Sequence, residues 1–226
     1  MVGTLTLYQT AIGKKAVMAV TGLIGYGFVL VHMLGNLKMF AGPVAMNEYA
    51  HHIRVMGEPI FGYGQVLYII RTVLFIALVA HVVSAVLLTK QDVDGRPTRY
   101  VAGRKNVQAS FASLTLRWGG LALFFFIIFH LMQLTLGTIT PDFRPDDAYH
   151  NVIVAFSSLP VVVVYLAAMF CLAAHLFHGV WSAFQTLGLN DRRTDRLFRV
   201  LAVASAVLLF VGFSSVPVAV LLGWVS

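Results

Sequence analysis

The sequence predicts an all-α membrane protein of five transmembrane helices, four of them forming a bundle around intramembrane histidines. Three observations carry this expectation. Of 226 residues, 59% are hydrophobic and only 11% charged, with a mean hydropathy of +0.83; a soluble domain carries about 25% charged residues. Five windows are free of Lys, Arg, Asp and Glu: 16–37, 72–89, 118–141, 148–190 and 200–226. Finally, His32, His81, His130 and His175 fall one in each of the first four windows, 49, 49 and 45 residues apart. An ionisable side chain at membrane depth is costly and is by default a functional-site hypothesis.

Each element follows from length. A helix crossing a hydrocarbon core of about 30 Å needs about 20 residues, so the windows at 16–37, 118–141 and 200–226 each hold one span. The second window is short because Arg71 bounds it, and its helix should begin near 62–65. The fourth is too long for one span and short for two with a turn. Pro160 could kink it, but no Gly/Asn/Asp cluster divides it, so it reads as one long helix that protrudes from the bilayer. The expected helices are about 13–40, 62–90, 111–139, 150–188 and 197–224, in a single membrane domain spanning 1–226. Residues 1–10 lack the basic segment of a secretory signal, so no cleavable leader is expected.

Charge sets the expected orientation. The N-terminal flank and the second and fourth loops carry Lys14, Lys15, Lys90, Arg96, Arg99, Arg104, Lys105, Arg117, Arg192, Arg193, Arg196 and Arg199; the other loops carry Lys38, Arg54 and Arg144. Twelve against three is a strong positive-inside bias. It predicts a cytoplasmic N-terminus and an external C-terminus in a bacterial cytoplasmic membrane. The net charge of +7 is thereby loop charge, and no nucleic-acid partner is expected. The single cysteine, Cys171, excludes an internal disulfide and a cysteine-ligated iron–sulfur cluster.

Because successive spans alternate in direction, the near-even spacing puts the histidines at two depths. His32 and His130 share the outer level, His81 and His175 the inner. Two imidazoles from different helices at each level suit a bis-histidine b-type haem inside a bundle. A polar, hydrogen-bonding role across helices is the competing reading, and a tetrahedral zinc site the weaker one. His178, three residues after His175 and on nearly the same face, could replace it. Gly22, Gly25, Gly27, Gly35, Gly119, Gly120 and Gly179 would let a macrocycle or a helix approach the backbone closely. Arg71 could snorkel to the interface or hold a propionate or quinone oxygen. His51, His52 and His150 read as solvated interfacial residues, and Trp118 and Tyr149 as interface aromatics.

Several segments carry a family resemblance: GKKAVMAVTG at 13–22, HMLGNL at 32–37 with Asn47, Glu48 and Tyr49 after it, and HLFHGVWSAFQTLG at 175–188. Through these the chain resembles the di-haem cytochrome b (b558-type) membrane anchor of succinate:menaquinone oxidoreductases and fumarate reductases. The resemblance implies two haem b groups, one held by His32 and His130 (distal) and one by His81 and His175 (proximal). It selects His175 over His178, because the family's ligand precedes a glycine by four positions, here Gly179. It implies a flavoprotein subunit, an iron–sulfur subunit and menaquinone as partners, within a higher oligomer of the complex. No catalytic residue for succinate is expected here. Some fumarate reductases place a glutamate two residues before the helix-four ligand; Ala173 stands there, which favours succinate oxidation. Arg71, Arg54, Glu58, His51 and His52 are propionate or quinone candidates by location. A haem-b subunit of a hydrogenase or formate dehydrogenase, and a haem-free anchor or transporter, are the alternative readings.

Overall fold

The computed structural model describes residues 8–95 and 111–226. Within them the chain is all-helical, and five helices are long and apolar enough to cross a membrane, the make-up of a multi-pass membrane protein. The predicted loop positions Arg96, Arg99, Arg104 and Lys105 lie outside the described residues.

Helix α1 covers Ala11–Asn36, and its first turn is capped by the Thr10 hydroxyl, which accepts from the Gly13 amide at 3.0 Å. A 3-10 turn over Leu37–Ala41 ends it. Gly42, at φ 92°, then reverses the chain into Pro43, which starts α2 (Pro43–Val55). This short amphipathic helix replaces the loop that the charge-free windows left there. Helix α3 (Gln65–Asp94) returns across the bundle, and α4 (Phe111–His130) crosses again, ending in a π turn over Leu131–Thr135.

The fourth window is not one long helix. It divides into α5 (Ala148–Phe156) and α6 (Leu159–Thr186). Pro160 is the physical reason. It has no N–H to give to the carbonyl four residues back, and its ring crowds that carbonyl. The chain therefore opens at Ser158, which is extended at φ −97°, ψ 114°, and Pro160 sits in the first turn of the new helix, where no donor is missed. Helix α7 (Asp195–Leu221) follows.

Helix α3 packs on α1, α1 on α6, and α6 on α4, while α7 covers α6 and α1. Four helices thus stand at the corners of a square in the order α3–α1–α6–α4. Behind it Met33 of α1 meets Leu176 and Val180 of α6 and Ala202 and Leu209 of α7, while a larger buried cluster joins Met39 to Phe156 of α5, Val162 of α6 and Val216 of α7. The fourth side stays open: α3 and α4 do not pack along their length, and Arg117 reaches Asp92 at 3.0 Å near their ends.

One end of the bundle, where α1 begins and α6 ends, is called here the N-side; the other, where α7 ends, the C-side. On the C-side α2 and α5 are pinned together. Asn47 donates to Asp147 at 2.9 Å and accepts from the Tyr149 amide at 3.0 Å. Asp147 also caps α5, accepting from the His150 amide at 2.9 Å. These bonds, the His150 amide first and Asn47 second, hold its carboxyl below the usual range. Tyr149 donates to the carbonyl of Ser226 at 3.1 Å, so the predicted interface aromatic ties down the C-terminus instead.

Gly35 is where α2 folds back on α1: a Cβ there would lie 2.7 Å from the Tyr49 ring. Gly35→Ala should therefore lower the thermal midpoint of the purified protein, at a cost of about 1–3 kcal/mol for forced overpacking. Gly27→Ala, whose added carbon meets nothing within 4 Å, should leave it unchanged or raised.

Candidate functional site: two imidazole pairs across the bundle

Two pairs of imidazoles occupy the middle of the square, each along one diagonal. On the N-side, His81 of α3 faces His175 of α6, ring centres 6.2 Å apart at 59°. On the C-side, His32 of α1 faces His130 of α4, centres 5.9 Å apart at 80°. These are the pairings predicted from depth. His178 does not join: it contacts Phe177, and its Nε2 is buried without a hydrogen-bond partner.

A ten-residue step relates the two levels. Gly22 faces the His81 ring and precedes His32 by ten residues; Gly120 faces the His175 ring and precedes His130 by ten. Tyr165, which bonds to His130, precedes His175 by ten. Ten helical residues rise about 15 Å, which is the axial separation of the pairs. By the same step Arg71, ten residues before His81, falls about level with His32; it is exposed there.

The glycines seat imidazoles. A Cβ on Gly22 would lie 3.2 Å from His81 Cε1, and one on Gly120 would lie 3.6 Å from His175 Cε1. Each ring thus presents its Nδ1–Cε1 edge to a glycine on the neighbouring helix, and Nδ1 is aimed at the backbone one turn before that glycine. His81 Nδ1 lies 3.0 Å from the Met18 carbonyl and 3.3 Å from Thr21 Oγ1, whose proton is given to the Val17 carbonyl at 2.7 Å. Both neighbours therefore accept, His81 Nδ1 carries the proton, and Nε2 keeps a free lone pair. His175 Nδ1, by contrast, is a buried polar atom with no hydrogen-bond partner.

On the C-side, Tyr165 donates to Gln133 Oε1 at 2.9 Å. Having spent its proton, its oxygen accepts from His130 Nδ1 at 3.1 Å, which again leaves Nε2 unprotonated. His32 stacks on Phe28 at 5.2 Å and 15°, with Phe213 at 5.8 Å. Sequence reasoning missed Tyr165 and Gln133. Their positions within apolar windows were visible, but nothing local marked a contact 32 residues long.

This donor set suits a haem. With a metal–nitrogen bond of about 2.0 Å on each side and roughly 1.2 Å from nitrogen to ring centre, two imidazoles across one metal have centres about 6.4 Å apart. The observed 5.9 and 6.2 Å are close to that value. Two side-chain donors per level are half of what tetrahedral zinc needs; among the described residues no group of three or more His, Cys, Asp or Glu converges. Room exists as well. Gly25, between Gly22 and His32 on one face of α1, has nothing within 4 Å of an added carbon, and the square is open between α3 and α4.

The remaining candidates lie on the C-side surface. His51 and His52 are exposed and line an open depression of about 700 Å³ with Lys38, Glu48 and Tyr49. Arg54 is engaged elsewhere, donating to the Pro145 carbonyl at 3.0 Å with Asp146 at 4.0 Å. Glu58 is exposed in the turn after α2. His150, predicted as solvated, pairs with Asp142 at 3.0 Å. No family model, curated protein or solved structure matches this chain.

Gly22→Val should displace the His81 ring, against which even a Cβ would lie at 3.2 Å, and lower the thermal midpoint of the purified protein, while Gly27→Val should lower it by less. Equal values for the two variants would contradict the seating role.

Proposed function

We propose that the chain is the membrane anchor and electron-transfer subunit of a succinate:menaquinone oxidoreductase, accepting electrons from an iron–sulfur subunit and delivering them to menaquinone. The observation that carries this reading is the pair of crossed imidazole couples, each at the spacing of bis-histidine ligation. The resemblance of the segments at 13–22, 32–37 and 175–188 to di-haem anchors supplies the choice of complex.

His32 and His130 would hold one haem, and His81 and His175 the other. Bound there, two b-type haems supply one-electron carriers at two depths of the bilayer. The residues around them set tautomer and position. Met18 and Thr21 keep the His81 proton on Nδ1, and Tyr165 does the same for His130. Phe28 and Phe213 wall the His32 ring, and the α1–α6–α7 core keeps water from its back.

The positive-inside bias puts the N-side in the cytoplasm of a bacterial cell, with the C-terminus outside. Lys15, Arg192, Arg193 and Arg196, all exposed, then border the face on which an iron–sulfur subunit and its flavoprotein would dock, whereas Lys14 is buried and donates to the Gln9 carbonyl. Succinate chemistry belongs to that flavoprotein, and no residue of this chain performs it. Arg71, level with His32 and exposed, is the strongest candidate among the predicted residues to hold a propionate or a quinone oxygen. Its guanidinium offers two parallel donors, whereas Arg54 is already committed to Pro145 and Asp146. Glu58, His51 and His52 remain at the same end.

The complex isolated through a tag on this chain should contain a flavoprotein and an iron–sulfur subunit. Its reduced-minus-oxidised spectrum should show b-type haem at about two per chain. Absence of haem eliminates the proposal; haem with a hydrogenase or formate dehydrogenase partner replaces the complex but keeps the site. His81→Ala and His175→Ala should abolish one and the same spectral component, and loss of different components would refute the pairing.

A further inference from the structure

We propose that Tyr165 is a positioning residue that tunes one of the two metal sites. Its hydroxyl fixes the proton of His130 on Nδ1 and strengthens that imidazole as a ligand, so that the C-side site rests on a side-chain acceptor where the nearest acceptor of the N-side His81 is a main-chain carbonyl. The inference rests on the haem reading above.

The geometry leaves Tyr165 no freedom to do otherwise. It is 6% exposed, and its ring is held edge-on by Phe156 at 4.7 Å, Phe126 at 4.9 Å and Phe129 at 6.2 Å. A phenol has one proton, and here it goes to Gln133 Oε1. The oxygen therefore meets His130 as an acceptor. Gln133 is itself held: it is buried, and its carbonyl accepts from the Thr140 hydroxyl at 2.7 Å. It lies in the π turn over Leu131–Thr135 that follows His130 directly. This π turn, which ends α4, places Gln133 beside Tyr165.

The consequence is electronic. An imidazole that donates its second N–H to an acceptor becomes a more basic ligand, which favours the oxidised metal. Donation from Tyr165 to Gln133 makes the phenol oxygen a better acceptor, so the two bonds reinforce each other. On the N-side the nearest acceptor for His81 is the main-chain carbonyl of Met18 at 3.0 Å, with Thr21 Oγ1 farther off at 3.3 Å. A side-chain substitution leaves the Met18 carbonyl in place. The two sites are therefore built alike but tuned by different means.

The test is a potentiometric titration of the purified complex, with the C-side signal assigned by its loss in His130→Ala. Tyr165→Phe keeps the ring and its packing and removes only the acceptor. It should leave about two haems per chain, raise the midpoint potential of the C-side haem and leave the other unchanged. Gln133→Leu should shift the same signal in the same direction by less, and should add nothing in the Tyr165→Phe background. Unchanged midpoints with both haems retained would overturn the inference and leave the haem reading standing, as would equal shifts of both signals. If Tyr165→Phe fails to assemble, Gln133→Leu alone decides by the same criterion. A wild-type complex without haem would overturn the reading beneath it, before any variant is compared.

Discussion

Four imidazoles inside hydrocarbon are the constraint to which the rest of this fold answers. A polar ring there must find partners or pay for its desolvation. The structure brings the rings together along the two diagonals of a square of helices, which lets each pair meet while the helices bearing it stay apart. Everything close by follows from that choice. Glycine is required at Gly22, where a Cβ would press on His81. A carbonyl one turn earlier takes the ring proton. One dry cluster lies at the back of α1 and α6, where α7 supplies it, and the larger one joins α5, α6 and α7 at the C-side. Among the described residues α3 and α4 do not pack along their length, so the front of the bundle stays open.

The two levels are variations on one plan. A ten-residue step carries Gly22 to His32, Gly120 to His130, Tyr165 to His175 and Arg71 to His81. At the N-side level both rings look at a glycine and the backbone before it. At the C-side level the neighbours are unlike: His130 has Tyr165, whereas the ring of His32 is walled by Phe28 and Phe213. The C-side is also the more heavily fastened end. Asn47, Asp147 and Tyr149 lock α2 to α5 and to the chain end. On the N-side a single carboxylate, Asp195, gathers Trp181, Asn190 and Arg199 and joins α6 to α7.

Much of this was legible in the sequence, for a physical reason. Charge is excluded from hydrocarbon, so charge-free windows located all five spans. Alternating direction then converted near-even spacing into two depths, and the pairs His32–His130 and His81–His175 came from that alone. What windows cannot see is anything that mixes polar and apolar residues or depends on distant packing. Helix α2 carries Glu48, His51, His52 and Arg54, so it read as loop. The division at Ser157 and Ser158 was missed because no Gly or Asn marks it, although Pro160 held the reason. The π turn after His130 has no composition of its own. Tyr165 sat unremarked in an apolar run, since its two partners lie 32 and 35 residues upstream. Gly22 and Gly120 were recognised as close approaches, but what approaches them is an imidazole.

Low-temperature electron paramagnetic resonance of the oxidised protein tests the central claim most directly, because it reports the axial ligands of ferric haem rather than its mere presence. The account predicts two low-spin ferric signals of bis-imidazole type for each chain, with different g values because the ring pairs meet at different angles. A high-spin ferric signal, a single low-spin centre or no ferric haem at all would contradict it.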